Sequence, residues 1–285
     1  MIKHPPSNYK WYILALGTAT HIFVFAMSRM AMPVLFKEIS DDLGLSLFQI
    51  GTIWGMTGLG GVFFALFAGM VCDRYGTRLT LGIGCLLMGI SGALRGLAGG
   101  FTELAIYMFL FGFFSIPIAF ATHKAAGEWF SGRQLGVANG ILGMGMGFGV
   151  TLGSLINATV LSPLLGGWRS IMFAYGVIAV VAAVLWLQTR RNPGQVEAAK
   201  TKGTVSFRQT LSRICRIRDV WFLALTYMCL AACGTGVIGY LPLYLRDSGW
   251  TAVGADGALA ALSAASVVAI VPLSFLTDRT GLRKT

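Results

Sequence analysis

The sequence predicts an all-α, polytopic membrane protein, and three observations carry that prediction. Charged residues make up 12% of the 285-residue chain, apolar types reach 55%, and the mean hydropathy is +0.72. Ordinary soluble domains carry about 25% charge, so a globule of this size would be poorly solvated. Apolar runs recur along the chain, each reaching the roughly 20 residues that cross a hydrocarbon core about 30 Å thick as helix. Barrel strands need only about 10 residues, and inside lipid a helix satisfies its own backbone. Finally, Lys and Arg are distributed unequally between alternate loops.

The first apolar run, about residues 11 to 36, is too long for a cleaved signal peptide and no small-x-small site follows it. It is expected to stay as the first membrane helix. Five more runs follow at about 47 to 71, 79 to 98, 103 to 123, 135 to 161 and 169 to 187. These complete an N-terminal six-helix half, residues 1–188. A polar stretch at 189–219 is the linker, and 220–285 holds helices seven and eight, with apolar runs at about 220 to 245 and 255 to 276. Within the linker, residues 206 to 218 place Phe207, Leu211, Ile214 and Ile217 at helical spacing with Arg between them. That pattern fits either a short amphipathic helix on the inner leaflet or a solvated linker that carries topology charge. Cys72, Cys85, Cys215, Cys229 and Cys233 fall within helices or on the inner side, so neither a disulfide framework nor a metal site is implied.

The net charge of +11 is explained by topology. Counting loops alternately from an inner N-terminus puts seventeen Lys and Arg on one side, against Lys37, Arg95, Arg169 and Arg246 on the other. By the positive-inside rule the N-terminus and the 188–219 loop are cytoplasmic, in a multi-pass protein of the cell membrane. Nucleic-acid binding is not needed to account for the basic residues.

Two blocks repeat at a constant offset of 205 residues: Gly69 to Arg78 matches Ser274 to Arg283, and Gly44-Leu-Ser46 matches Gly249-Trp-Thr251. Ser46 and Thr251 are placed to cap the helices that follow. Pro33 and Pro242 sit near the outer ends of the first and seventh helices. Matched blocks on either side of a helix indicate parallel duplicated halves.

The block Gly69-Met-Val-Cys-Asp73-Arg74-Tyr-Gly76-Thr-Arg78 resembles the loop signature of the major facilitator superfamily, Gly-x-x-x-Asp-Arg-x-Gly-x-Arg, at all five positions. The second copy differs in having Ser274 for the first Gly. Glu128 to Gly140 and Gly167-Trp168-Arg169 are similar to further loop patterns of that superfamily. The resemblance implies a twelve-helix fold in two halves, and so four helices beyond the eight read here. It also implies a secondary active transporter of a small solute, by symport or antiport and by alternating access. A non-transporting ligand sensor on the same fold, or a non-functional fragment of a transporter, remain alternatives.

Asp73 lies at the C-terminal end of helix two, where the helix dipole disfavours negative charge by about 0.3 to 1 kcal/mol. It needs cationic partners, and Arg74, Arg78 and Arg133 are the candidates. Gly76 allows a tight reversal and Gly69 a close backbone approach. The resemblance assigns Gly69, Asp73, Arg74, Gly76, Arg78 and Arg133, with Asp278, Arg279, Gly281 and Arg283, to a conformational latch. Tight turns with topology-setting Arg are the simpler reading.

Charge within the membrane is costly, which makes Arg29 the first candidate for substrate binding. It lies about two-thirds of the way through helix one, while the acids read as lying in loops or at helix ends. Its partner is an anionic group of a substrate or a residue on the four further helices that the resemblance implies, with snorkelling and structural hydrogen bonding as alternatives. Arg29-Met-Ala-Met-Pro33 is similar to helix one of organic-anion and organophosphate carriers in the superfamily. A carboxylate or phosphate ester is therefore the expected substrate. His21, two turns earlier, suits a co-transported proton or else simple packing. Trp54, Asn157 and Tyr240 could line a substrate cavity or serve as packing and interface anchors. Lys124 and Arg95, near helix ends, read as snorkelling.

Helix five carries Gly136, Gly140, Gly143, Gly145, Gly147, Gly149 and Gly153, a surface for close packing or for sliding. A nucleophile triad, a His/Glu metal cluster and a phosphate loop are lacking, so no enzyme, cofactor or metal is expected. The expected state is a monomer in the bilayer, with no nucleic-acid partner.

Overall fold

The computed structural model describes residues 8–190 and 216–280, and every element among them is helical. Seven helical stretches among the described residues are long and apolar enough to cross a membrane, and an eighth helix contributes a shorter apolar stretch, Ala252–Ala265. The amphipathic reading of 206–218 lies almost wholly outside the described residues.

Helix α1 runs over Tyr9–Leu43. It changes to π winding over Thr20–Met27 and contains Pro33. The next helical stretch, Leu47–Leu94, turns at Gly76, whose φ of 80° and ψ of 164° lie outside the reach of other residues. We label its arms α2, residues 47–75, and α3, residues 77–94. Then come α4, Phe101–Trp129, and α5, which runs over Arg133–Ile156 and on through a π turn, Asn157–Leu161, to Ser162–Leu165. Helix α6 is Trp168–Gln188, α7 is Arg218–Asp247 and α8 is Ala252–Thr280.

Cross-helix contacts show that the first six helices alternate in direction. At one end, Tyr9 stacks near Trp129 and its hydroxyl accepts from the Arg190 N–H, while Lys10 donates to Gln134 and Lys124 pairs with Asp73. At the other, Glu38 and Asp42 of α1 receive the start of α6. Glu38 accepts from the Trp168 N–H at 2.7 Å and from Ser162 at 2.7 Å, and Asp42 pairs with Arg169 at 2.8 Å. A carboxylate facing a helix N-terminus gains from both the free N–H groups and the dipole.

The α1–α2 turn recurs between α7 and α8. Gly44 and Gly249 both take positive φ, 62° and 89°. The Leu45 N–H bonds Ser40 O at 3.0 Å, and the Trp250 N–H bonds Leu245 O at 3.0 Å. Ser46 caps α2 through a capping box with Gln49, and Thr251 accepts from the Gly254 N–H at 3.1 Å. The turn bond and the hydroxyl cap recur at the 205-residue offset, so the duplicated sequence folds the same turn twice; only the Gln49 half of the capping box is lost, because Gly254 has no side chain.

Helix α4 packs along α2 and α3, α6 runs antiparallel along α3, α5 lies on the π segment of α1, and α8 packs on α5. Three of the α5 glycines explain how closely it approaches α1. A Cβ at Gly145 would meet Thr18, one at Gly149 would come 2.8 Å from the Ile22 backbone, and one at Gly153 would reach Met27 and Met30. Gly136, Gly140 and Gly143 face open space. Because the obstacle at Gly149 is backbone, Gly149→Val should destabilise the bundle by about 1 to 3 kcal/mol or more. The thermal midpoint in detergent reads this, and an unchanged midpoint would refute the close contact.

Helix α7 docks chiefly through its far end: Gly239, Pro242 and Leu243 are buried while 216–230 are largely exposed. In α8, Ala255, Asp256, Leu259 and Ala260 are buried. The last two helices therefore meet the first six near the end that carries Glu38 and Arg169.

A candidate anion site around Arg29

Arg29 stands two residues beyond the π segment, and Pro33 supplies no N–H for the Arg29 carbonyl. Its neighbours in sequence are held from two sides. Asn157, which opens the π turn of α5, donates to Met27 O at 3.1 Å, and Arg95 donates to Ser28 O at 3.4 Å and to Ser28 Oγ at 3.1 Å. The backbone leading into Arg29 is thus fixed by α3 and α5.

The guanidinium itself is less committed. It lies 5.6 Å from the Trp54 ring of α2, and its Nε is buried with no hydrogen-bond partner among the described residues. A desolvated cation–π contact contributes about 2 kcal/mol, whereas an Arg at the centre of a membrane helix costs about 2.5 to 3.5 kcal/mol on insertion scales. The ring alone does not offset that cost. An anion at the guanidinium would supply the difference through charge-assisted hydrogen bonds.

Trp54 is held in turn by α7. Its indole N–H donates to Thr235 O at 3.2 Å, and a Cβ at Gly239 would come 2.6 Å from the indole nitrogen. One turn away the Tyr240 ring lies on Gly51, where a Cβ would collide with its hydroxyl. Arg29, Trp54 and the α7 seam with Tyr240 are therefore brought together. His21 and Asn157 lie elsewhere. His21 is buried two turns before Arg29, with Nε2 2.6 Å from Thr122 Oγ1 of α4. Asn157 is fully buried with both polar atoms engaged, its Oδ1 accepting from the Tyr175 hydroxyl at 2.5 Å.

Three readings change. Arg95 does not snorkel: it is 0% exposed, and besides Ser28 it bonds Gly92 O at 3.0 Å, reaches Met108 Sδ at 4.0 Å and stacks on Phe111 at 4.0 Å. It ends α3, yet α1 overhangs it and shields it from lipid and water. A buried acid also exists. The Asp256 side chain is 1% exposed and pairs with Arg246 at 2.6 Å, which joins α7 to α8 and neutralises the acid away from Arg29.

The third change concerns Asp73, whose partner is Lys124 of α4 at 2.5 Å rather than a neighbouring Arg. Arg78 donates instead to the Leu187 carbonyl near the end of α6, and Arg74 lies 5.7 Å from the Tyr75 ring. Thr77 donates to Glu128 at 2.6 Å. Gly69 faces open space. The side chains of Arg133, Asp278 and Arg279 lie outside the described residues, as do Gly281 and Arg283. Thr235 goes unmarked in the sequence, and Lys124 and Arg95 read there as snorkelling rather than as partners of Asp73 and Ser28. None has a local signal, because each acts through a helix distant in the chain.

Antiparallel apolar helices, a turn repeated at a fixed offset and a desolvated arginine at a helix seam define a multi-pass helical membrane protein. The chain belongs to the Major Facilitator Superfamily, whose family model matches residues 17–285. A probable nitrate/nitrite antiporter of Thermus thermophilus is 32% identical over 95% of this chain and 62% of its own length. A probable L-galactonate transporter of Escherichia coli is 26% identical over 78% of this chain and 51% of its own length. The chain thus spans less than two thirds of either relative. Among solved structures, a bacterial homologue of the human lysosomal transporter Spinster, inward-facing and occupied, shares the fold with a TM-score of 0.78 at 20% identity. That match covers 96% of this chain and 62% of the other.

Proposed function

We propose that the protein acts as a secondary active transporter of a small anion, a carboxylate being the leading class, by alternating access, and that Arg29 binds the anion. The observation that carries the reading is the desolvated Arg29 guanidinium, with an unpartnered Nε beside Trp54 and no carboxylate paired to it among the described residues. The names of relatives support it, since nitrate, galactonate, hexuronate and 4-hydroxybenzoate are all anions. A transporter rather than an enzyme, coupled to a proton or ion, is the reading they favour. Counterflow of labelled nitrate and of a labelled sugar-acid anion, in proteoliposomes carrying the protein, tests it. Flux undiminished by Arg29→Ala would sink the role of Arg29.

In this reading, residues 1–188 and 220–285 belong to two duplicated halves joined by the 189–219 linker, which the recurrence of the Gly44 and Gly249 turns supports. The Asp73 end faces the cytoplasm of a cell-membrane monomer, and the α7 seam is the contact that opens and closes. The Asp73–Lys124 pair belongs to the latch. Asp73→Asn should lower transport rate about tenfold while leaving anion affinity within twofold, a split between turnover and binding. The charge swap Asp73→Lys with Lys124→Asp should restore part of the rate, and an equal loss in rate and affinity would refute the latch.

A further inference from the structure

We propose that His21 and His123 together form a proton-binding site, distinct from Arg29, through which the transporter takes up a coupling proton. The coupling role rests on the transport reading above, whereas the site does not.

The hydrogen bonds fix where the proton can go. Thr122 has one hydroxyl proton, and its Oγ1 sits 2.9 Å from Ile118 O and 3.1 Å from Ala119 O, carbonyls of its own helix. That proton is committed to α4, so His21 Nε2–H donates to Thr122 Oγ1 at 2.6 Å. Neutral His21 is therefore bare at Nδ1, a buried atom with no hydrogen-bond partner among the described residues. A bare, buried ring nitrogen is an acceptor that an added proton would turn into a donor.

His123 supplies the route. It is exposed, and its ring meets that of His21 edge-on at 5.5 Å. Its Nδ1 donates to Asn139 Oδ1 of α5 at 2.9 Å, because an amide oxygen only accepts. Its Nε2 is then the basic atom. One proton from water adds to this pair, and two positive charges 5.5 Å apart inside protein repel, so the pair holds one proton and not two.

The π winding of α1 spans His21, and such segments gather at functional positions. The charged groups toward this end of the bundle each have a polar partner. Lys124 pairs with Asp73 of α2, Thr77 of α3 donates to Glu128, and Lys10 donates to Gln134 of α5. From α6, Trp186 faces Thr20 and presents no charge.

Imidazole nitrogen NMR on the chain in lipid tests the site directly, since it has three histidines, resolved by single His→Gln variants. As the pH is lowered, the His21 and His123 signals should share one protonation step, with His21 starting as the Nε2–H tautomer. In His123→Gln the remaining His21 step should move by at least threefold in proton concentration. Independent titration of the two rings, or a His21 ring that stays neutral throughout, would overturn the site. In proteoliposomes His123→Gln should keep anion counterflow but lose about tenfold in accumulation driven by a pH gradient. Accumulation equal to the native protein's would overturn the coupling role. A shared protonation step in a protein that carries no anion would uphold the site and defeat the transport reading alone.

Discussion

Replacing Arg29 with Ala should weaken anion binding by about 10- to 150-fold, the loss expected when a charge-assisted hydrogen-bonding group worth about 1.5 to 3 kcal/mol is removed. The Trp54 ring would remain, held by Thr235 and Gly239 of α7, so the pocket wall should survive the change. Arg29→Lys keeps the charge but loses the planar fork, and should fall between the two. Calorimetric titration with nitrate and with a sugar-acid anion measures the three affinities. Equal affinity in native protein and Arg29→Ala would remove Arg29 from the site.

The second large effect is on folding. Arg95→Ala should lower stability by about 3 to 5 kcal/mol, the range seen when a large buried side chain is cut back and the space stays empty. The truncation also leaves Ser28 Oγ, Ser28 O and Gly92 O without the donors they now have. Arg95→Met refills much of the volume and should recover more than half of the loss, so the difference between the two variants isolates packing. Thermal unfolding followed by size-exclusion fluorescence reads both. Because Arg95 holds the residue next to Arg29, the Met variant should still bind anion more weakly than native protein. Native affinity in Arg95→Met would show that Ser28 needs no support.

The membrane helices were legible because a span of about 20 apolar residues is a one-dimensional property. The repeated turn was legible for a similar reason: a Gly two residues before Ser or Thr states both the left-handed residue and the cap. The depth of Arg29 could be counted along its own helix. Depth counted in this way failed for Arg95, because its burial comes from the overhang of α1 and not from its distance to the end of α3. Asp73 illustrates the same limit, since its cation, Lys124, lies on α4 in the next turn of the bundle and not in the adjacent sequence. Asp256 looked like a helix-end acid and is enclosed by α7 and its ion pair. The π segments carry no compositional mark. That they fall at Met27 and Asn157, where α1 and α5 share a hydrogen bond, follows from how the two helices pack.

The seam between Trp54 and α7 constrains mutation unequally. At position 235 the indole reads a main-chain carbonyl, which every amino acid carries, and at 239 it requires that no side chain be present. A lineage could drift freely through residue 235 without disturbing the contact, while one methyl group at residue 239 would displace the ring beside which Arg29 rests. Selection at this seam acts on what is missing from α7.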